Sequence, residues 1–159
     1  MSDFILAVDK VEIANVGTSP NIDLGKTKGG VIFRQNAANE VEIDNDQDVE
    51  PEAIITTKLR REMEINLADC KLDNLALVFN GTVVGNVLTL PTTVSAGTTK
   101  AVKLTTKKLN GVYYEILLPK ARIRPEGEIT INNDGNAVLT LTMVNLAHTS
   151  APKITRVSS

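Results

Sequence analysis

Aromatic residues and cysteine are scarce in this chain of 159 residues. It has no Trp, two Tyr and three Phe, which leaves few aromatic faces for stacking on sugars or bases. A single Cys excludes an intrachain disulfide and fits a protein that folds in a reducing compartment. The net charge of -2 provides no overall basic field for nucleic acid. The composition therefore excludes a disulfide-stapled module and disfavours tight nucleic-acid binding.

Long hydrophobic runs are also missing. The first ten residues hold an apolar run of five, which is too short for the core of a secretion signal. No window approaches the roughly 20 apolar residues of a membrane-spanning helix. We therefore expect no secretion signal and no membrane insertion. The 42% of hydrophobic and 23% of charged residues predict one globular domain over residues 1–159, able to bury a core without metals or disulfides.

The dominant pattern is an alternation of apolar and polar residues, which predicts strands with one buried face. The clearest runs are residues 40–44, 62–67 and 139–143. Residues 112–118 would be apolar on both faces of a strand except for Glu115. This is typical of a strand that is central in the sheet or lies at a subunit interface.

Two turn signals and one polar stretch divide the strands. Asn110-Gly111 and Asp134-Gly135 each separate two strand-like runs, so both predict antiparallel hairpins. The small polar residues 92–99 predict an exposed connection.

One segment has a helical period instead. Five apolar residues share a helix face, and these are Ala68, Leu72, Leu75, Ala76 and Phe79. The pattern predicts a helix over about residues 68–79, capped by Asn66 or Asp69 and ended by Asn80-Gly81. Many strands and one amphipathic helix predict a mainly β fold, a β-sandwich or barrel of two antiparallel sheets with a flanking helix.

The most unusual feature is a row of acids at every second position, with no Lys or Arg between them. These acids are Glu40, Glu42, Asp44, Asp46, Asp48, Glu50 and Glu52. In an extended chain they all point the same way. Residues 44–48 match the opening of a calcium loop, but Val49 and Ile55 stand where such a loop needs Gly and Glu. We therefore predict no metal site.

Two other interpretations of the acidic row remain open. It can form a solvated edge that discourages strand addition by other chains. It can also pair with basic residues of a neighbouring subunit. The basic clusters are residues 58–61, 100–108 and 120–124.

No residues form a recognisable catalytic or cofactor motif. His148 is the only histidine, Cys70 has no histidine near it in sequence, and no Gly-x-Ser-x-Gly elbow is present. Gly29-Gly30 lacks the spacing of a nucleotide loop and predicts a turn into a strand at 31–33. We predict neither a catalytic residue nor a cofactor.

The order of these parts resembles the tail tube proteins, or major tail proteins, of long-tailed bacteriophages. Residues 24–31 resemble the turn into the family's first long strand, and residues 36–53 its extended acidic loop. Residues 56–79, above all 61–75, resemble its strand that leads into the helix. Residues 118–123, followed by Asp134-Gly135 and a Thr-rich strand, resemble its closing hairpin. The resemblance covers most of the chain.

The resemblance implies a structural role. Subunits would form hexameric rings that stack into the hollow tube of a virion tail, assembled in the host cytoplasm. The tube would surround the tape measure protein, meet tail terminator and baseplate or tail-tip proteins, and conduct DNA without binding it specifically. On this basis we expect the loop 36–53 to reach a neighbouring subunit or ring, where its acids meet Lys58, Arg60 or Arg61.

Other functions fit the same sequence. An inner-tube subunit of a contractile injection or secretion system would have the same architecture but belong to a different assembly. A monomeric β-sandwich that binds carbohydrate is a different class, and the few aromatic residues disfavour it. Only the absence of motifs argues against an enzyme.

Overall fold

The computed structural model describes residues 7–43, 53–93, 98–124, 127–133 and 137–158. These residues form eleven strands and one helix. In chain order the elements are β1 Val8–Ala14, β2 Ile22–Asp23, β3 Thr27–Ile43, β4 Ala53–Leu67, α1 Leu72–Phe79, β5 Thr82–Val84, β6 Val87–Thr89, β7 Thr98–Thr106, β8 Val112–Ile123, β9 Glu128–Ile131, β10 Ala137–Asn145 and β11 Lys153–Ser158.

Nine strands form one antiparallel sheet, which divides at β8. The strand order is β2-β1-β7-β8-β10-β4-β3. One edge of β8 pairs with β7, while the other pairs with β11 over Val112–Leu117 and with β10 over Ala121–Ile123. Cα atoms of β1 and β3 come within 8 Å of each other, so the sheet curves back on itself. Strands β5 and β6 form a second, two-stranded sheet. The predicted mainly β, sandwich-like fold of two antiparallel sheets with one helix is confirmed.

The hydrophobic core lies on the concave face of the large sheet. Alternate residues of its strands are buried there in a single cluster. Leu24, which precedes β3, and Val78 of α1 belong to the same cluster. The strand members are Val11, Ile13, Met63, Ile65, Leu67, Val102, Leu104, Leu118, Ala121, Ile123, Leu139, Leu141 and Met143. The alternation predicted for residues 62–67 and 139–143 is therefore confirmed.

Both predicted hairpins are present. Asn110 and Gly111 have φ values of 53° and 78°, and Leu109 and Val112 exchange backbone hydrogen bonds of 2.9 and 3.0 Å. This is the left-handed turn that a two-residue hairpin requires. Strands β9 and β10 pair as predicted, although the turn residues 134–136 lie outside the described ranges. Strand β8 is central between β7 and β11, one of the two positions predicted for residues 112–118.

The predicted start and caps of the helix are wrong. Helix α1 begins at Leu72, and its N-cap Lys71 makes no side-chain capping bond. The amide of Ala68 donates to Lys26 O at 2.8 Å, which continues the β pairing past Leu67 and keeps the chain extended. The predicted end is right, because Asn80 is left-handed with a φ of 55°.

The buried face of α1 agrees only in part with the predicted stripe, since Leu75 and Phe79 pack against the core but are not its most buried residues. Its fully buried residues are Asn74 and Val78. The Asn74 amide group donates to Leu24 O at 2.7 Å and to Asp69 O at 3.0 Å. These bonds hold α1 against the turn before β3, so a polar residue sets which face of the helix turns inward. Gly29 and Gly30, predicted to form a turn, lie in an irregularity of β3 with φ values of 82° and 84°.

Gly127 packs against α1 with no room for a side chain. A Cβ atom at this position would lie 1.7 Å from Val78 Cγ1. We expect Gly127→Ala to lower the free energy of unfolding by about 1–3 kcal/mol, as overpacking does elsewhere. Val78→Ala opens space beside it, so the double variant should lose less than the sum of the two single losses. Urea unfolding of all four proteins measures this, and strictly additive losses would contradict the contact.

Candidate assembly interface

The long hairpin of β3 and β4 continues beyond the rest of the sheet. Strand β10 pairs with β4 only from Leu139↔Leu67 to Val144↔Glu62, whereas β3 and β4 pair on to Ile43↔Ala53. Residues 35–43 and 53–61 pair only with each other among the described strands, and we call them the arm. Nine residues in each strand span about 30 Å. The arm is therefore a two-stranded projection, and neither of its outer edges pairs with another described strand.

Two irregularities interrupt pairing near the base of the arm. The register shifts between Ala37 and Asn39 and again between Asn39 and Glu40. The first shift adds a residue to β3 and the second adds one to β4. Such bulges increase the local twist and bend the strands. The outer part of the arm can therefore take a direction different from that of the sheet.

The base of the arm is exposed. Lys58 and Leu59 are exposed on β4, and Leu59 keeps 51% of its accessible surface. Asn36 and Ala37 are exposed on β3. A hairpin of two strands is marginally stable in water on its own. An arm of this length is therefore expected to be stabilised by contact with another surface.

The structure corrects the predicted acidic loop. Residues 36–43 and 53 belong to strands, with Glu40 opposite Thr56 and Glu42 opposite Ile54. Long-range pairing with β4 holds this part of the chain extended, so it is not a loop. The other five acids, Asp44, Asp46, Asp48, Glu50 and Glu52, lie outside the described residues, as does the calcium-like run.

The basic residues predicted at the interface divide between two faces. Core residues Met63 and Ile65 fix the phase of β4, so Lys58 and Arg60 lie on its outer face and Arg61 on the core side. Arg60 Nε lies 2.6 Å from Glu62 Oε1. Arg61 Nε donates to Gln35 Oε1 at 2.8 Å. The structure therefore places Lys58 and Arg60 on the same face of β4, whereas Arg61 lies on the opposite face.

Arg34 adds a cation to the outer face and is already paired within the chain. Its Nη2 lies 2.6 Å from Glu64 Oε2, and its Nε lies 4.0 Å from Glu62 Oε2. Each of these side chains is partly exposed, so the pairs contribute little to stability and can exchange partners.

Charge is strongly separated along the chain. Residues 40–52 carry seven acids and no Lys or Arg, whereas all other residues carry 12 acids against 17 Lys and Arg. The net charge is therefore -7 in that segment and +5 elsewhere. The sequence therefore separates one strongly acidic segment from a remainder of net positive charge.

The other residues weighed for chemistry do not converge. His148 is exposed, and its Nδ1 accepts a bond from the Ser150 amide at 3.1 Å. Cys70 lies before α1 and packs against the core. Within the described ranges no three potential metal ligands are grouped, and no helix has the length and apolarity needed to cross a bilayer.

Comparison with protein-family models and with curated protein sequences gives no match.

Proposed function

We propose that this chain is a structural subunit that assembles with copies of itself into stacked rings, the hollow tail tube of a long-tailed bacteriophage. The observation that carries the proposal is the arm, a two-stranded projection of about 30 Å with free edges and an exposed base. A hairpin of two strands is marginally stable in water unless another surface packs against it. It suits a subunit that reaches a neighbour.

The separation of charge supports contact between identical chains. An acidic segment of one copy and a basic body of the next attract each other, and each copy offers both surfaces. A contact between two different patches of the same chain repeats, and it generates either a closed ring or an extended filament. A tube of stacked rings combines the two, because each layer is a closed ring and the layers repeat along the axis.

The remaining parts of the proposal follow from the resemblance. The tube would belong to the virion tail and would be built in the host cytoplasm. It would enclose the tape measure protein, contact terminator and baseplate or tail-tip proteins, and later pass DNA without specific binding. The subunit would have no catalytic role.

Negative-stain electron microscopy of the purified chain over a concentration series tests the proposal. We expect rings and hollow tubes of uniform diameter above a threshold concentration. At 1 M salt the screening length falls to about 3 Å, so this threshold should rise if opposite charges drive the contact. Sedimentation velocity on the same samples checks the fraction assembled. A monomer at every concentration and at low salt would overturn self-assembly of the isolated chain.

A further inference from the structure

Pro119 lies within β8 and divides one edge of this strand into two parts. Proline has no N–H to donate to a neighbouring strand, so regular pairing is interrupted there. Strand β10 pairs with β8 at Ala121–Ile123, and β11 pairs with the same edge at Val112–Leu117. The edge at residues 112–117 is therefore a separate binding position for one strand, and we call it the β8 slot.

Strand β11 is held in the β8 slot by its backbone more than by its side chains. Of its six residues only Val157 is half-buried, and Ile154 keeps 62% of its accessible surface. No residue of β11 belongs to the core cluster, and β8 is its only partner among the described strands. A segment with few buried contacts has low local stability. We therefore expect β11 to open more readily than the strands that carry the core.

An open β8 slot is a template for another strand. Loss of β11 would leave a row of unpaired N–H and C=O groups along residues 112–117, between faces that are apolar except for Glu115. The structure shows which sequence fits this edge, because β11 pairs with it at six consecutive positions, from Lys153↔Leu117 to Ser158↔Val112. A second copy of the chain carries the same strand and offers the same pairs.

The connection from β10 to β11 is longer than the path inside one chain requires. It comprises the seven residues 146–152, whereas the paired parts of β8 are separated only by residues 118–120. Fully extended, the chain from Asn145 to Lys153 spans about 26 Å, against about 13 Å from residue 121 to residue 117 of β8. Residues 147–151 are all exposed, so none of their side chains anchors the connection. Strand β11 can therefore move away while β10 keeps its place.

We infer that the β8 slot accepts β11 of a second copy, so that neighbouring chains exchange this strand through an extended connection 146–152. This inference rests on the proposed self-assembly, which brings copies together, and it names a contact outside the arm. The strand makes the same pairs within one chain and between two chains, so exchange changes only the path of the connection. A short tether favours the chain's own strand in dilute solution. Exchange becomes extensive where copies are held side by side.

Disulfide formation between two differently labelled variants tests the exchange. One full chain carries Glu115→Cys and the other carries Thr155→Cys, each with Cys70→Ser. These two positions are directly opposed, and the Cα atoms of such pairs lie about 4.5–5.5 Å apart, within the range of a disulfide. The variants are mixed in reductant, concentrated through the assembly threshold and then oxidised. We expect a disulfide-linked heterodimer at least tenfold more abundant than either homodimer.

A control for register uses Lys153→Cys in place of Thr155→Cys. Lys153 lies on the same face of β11 but opposite Leu117, so its Cα atom would be about 7–8 Å from that of residue 115, too far for a disulfide. This mixture should give only the products of random collision. Circular dichroism checks that each variant folds. Equal heterodimer yields in the two mixtures, or no heterodimer at any concentration, would overturn the exchange.

Locking β11 in the β8 slot of its own chain provides a second measurement. A chain with Glu115→Cys, Thr155→Cys and Cys70→Ser is oxidised while dilute, which links the strand to its own β8. We expect the assembly threshold of the locked chain to rise at least tenfold, and reductant should restore it. An unchanged threshold in the locked chain would show that assembly needs no exchange.

Failure of this inference and failure of the proposed function are distinguishable. Tubes from the unaltered chain, without the specific heterodimer, would leave the proposed function standing and remove strand exchange from it. The specific heterodimer without tubes at any concentration would support the exchange and count against the tail tube.

Discussion

Shortening the arm is expected to abolish tube formation while the rest of the sheet stays folded. The change replaces residues 38–58 by Asn-Gly, which joins Ala37 to Leu59. These two residues are directly opposed across β3 and β4, the geometry that a two-residue hairpin turn closes. The pairs from Val31↔Ile65 to Arg34↔Glu62 remain, and so do core residues Met63 and Ile65. The variant keeps its core and loses the surface proposed to reach the next subunit.

Electron microscopy and thermal unfolding measure the two parts of this result. We expect a shortened chain that stays monomeric at ten times the threshold concentration of the unaltered chain, with a cooperative unfolding transition. A second variant keeps the full length of the arm and replaces the seven acids of residues 40–52 by Asn or Gln. It tests the effect of charge separately from the effect of length. It should assemble more weakly and lose its dependence on salt. Normal tubes from the shortened chain would show that the arm is not the contact.

Replacing the buried amide of Asn74 by a carboxylate is expected to cause a large loss of stability. Asn74 is 2% exposed, and its amide group donates to the carbonyl oxygens of Leu24 and Asp69. Asn74→Asp puts an acceptor against two acceptors and buries a charge without a partner. We expect a loss of more than about 3 kcal/mol near neutral pH, because one unsatisfied buried group alone costs about 1–3 kcal/mol. Urea unfolding measures it.

The same variant should have a characteristic dependence on pH. Burial and the facing carbonyls raise the pKa of the new carboxyl in the folded state, so the folded chain binds the proton more tightly than the unfolded chain. The penalty is then largest above the folded pKa and shrinks as the pH falls below it, because the protonated acid can donate one bond. Asn86→Asp, at an exposed turn between β5 and β6, is the control. A loss that is the same at every pH would contradict this explanation.

Local sequence pattern was sufficient for the strands whose alternation faces one core. Residues 62–67 and 139–143 alternate apolar and polar side chains, and they became adjacent strands of the sheet. Asn110-Gly111 likewise predicted its own turn, because left-handed backbone is a property of those two residues. The end of α1 was predicted for the same reason, because Asn80 adopts the left-handed conformation.

Features that depend on distant partners were not predicted. The start of α1 is delayed because the amide of Ala68 bonds to Lys26 O, more than forty positions away in sequence. Asn74 looks like a helix polar residue, and only its bonds to Leu24 and Asp69 show that it faces inward. The sequence signal that could have shown this is the four-residue spacing of Asn74 and Val78, which puts both side chains on the same face of the helix.

The candidate interface stays a prediction. Charge and the family resemblance together placed Lys58, Arg60 and Arg61 in one group. Strand phase separates Arg61 from the other two. Neither the phase of β4 nor its separation from β10 can be obtained from a local window of sequence.

The paired irregularities near the base of the arm constrain how its length can evolve. Ala37↔Leu59 and Glu40↔Thr56 obey the same register, because the extra residue on β3 is offset by the extra residue on β4. A lone insertion in either strand would shift every pair beyond it by one position and exchange the two faces of that strand. Insertions in the arm of related chains are therefore expected as compensating pairs, one in each strand.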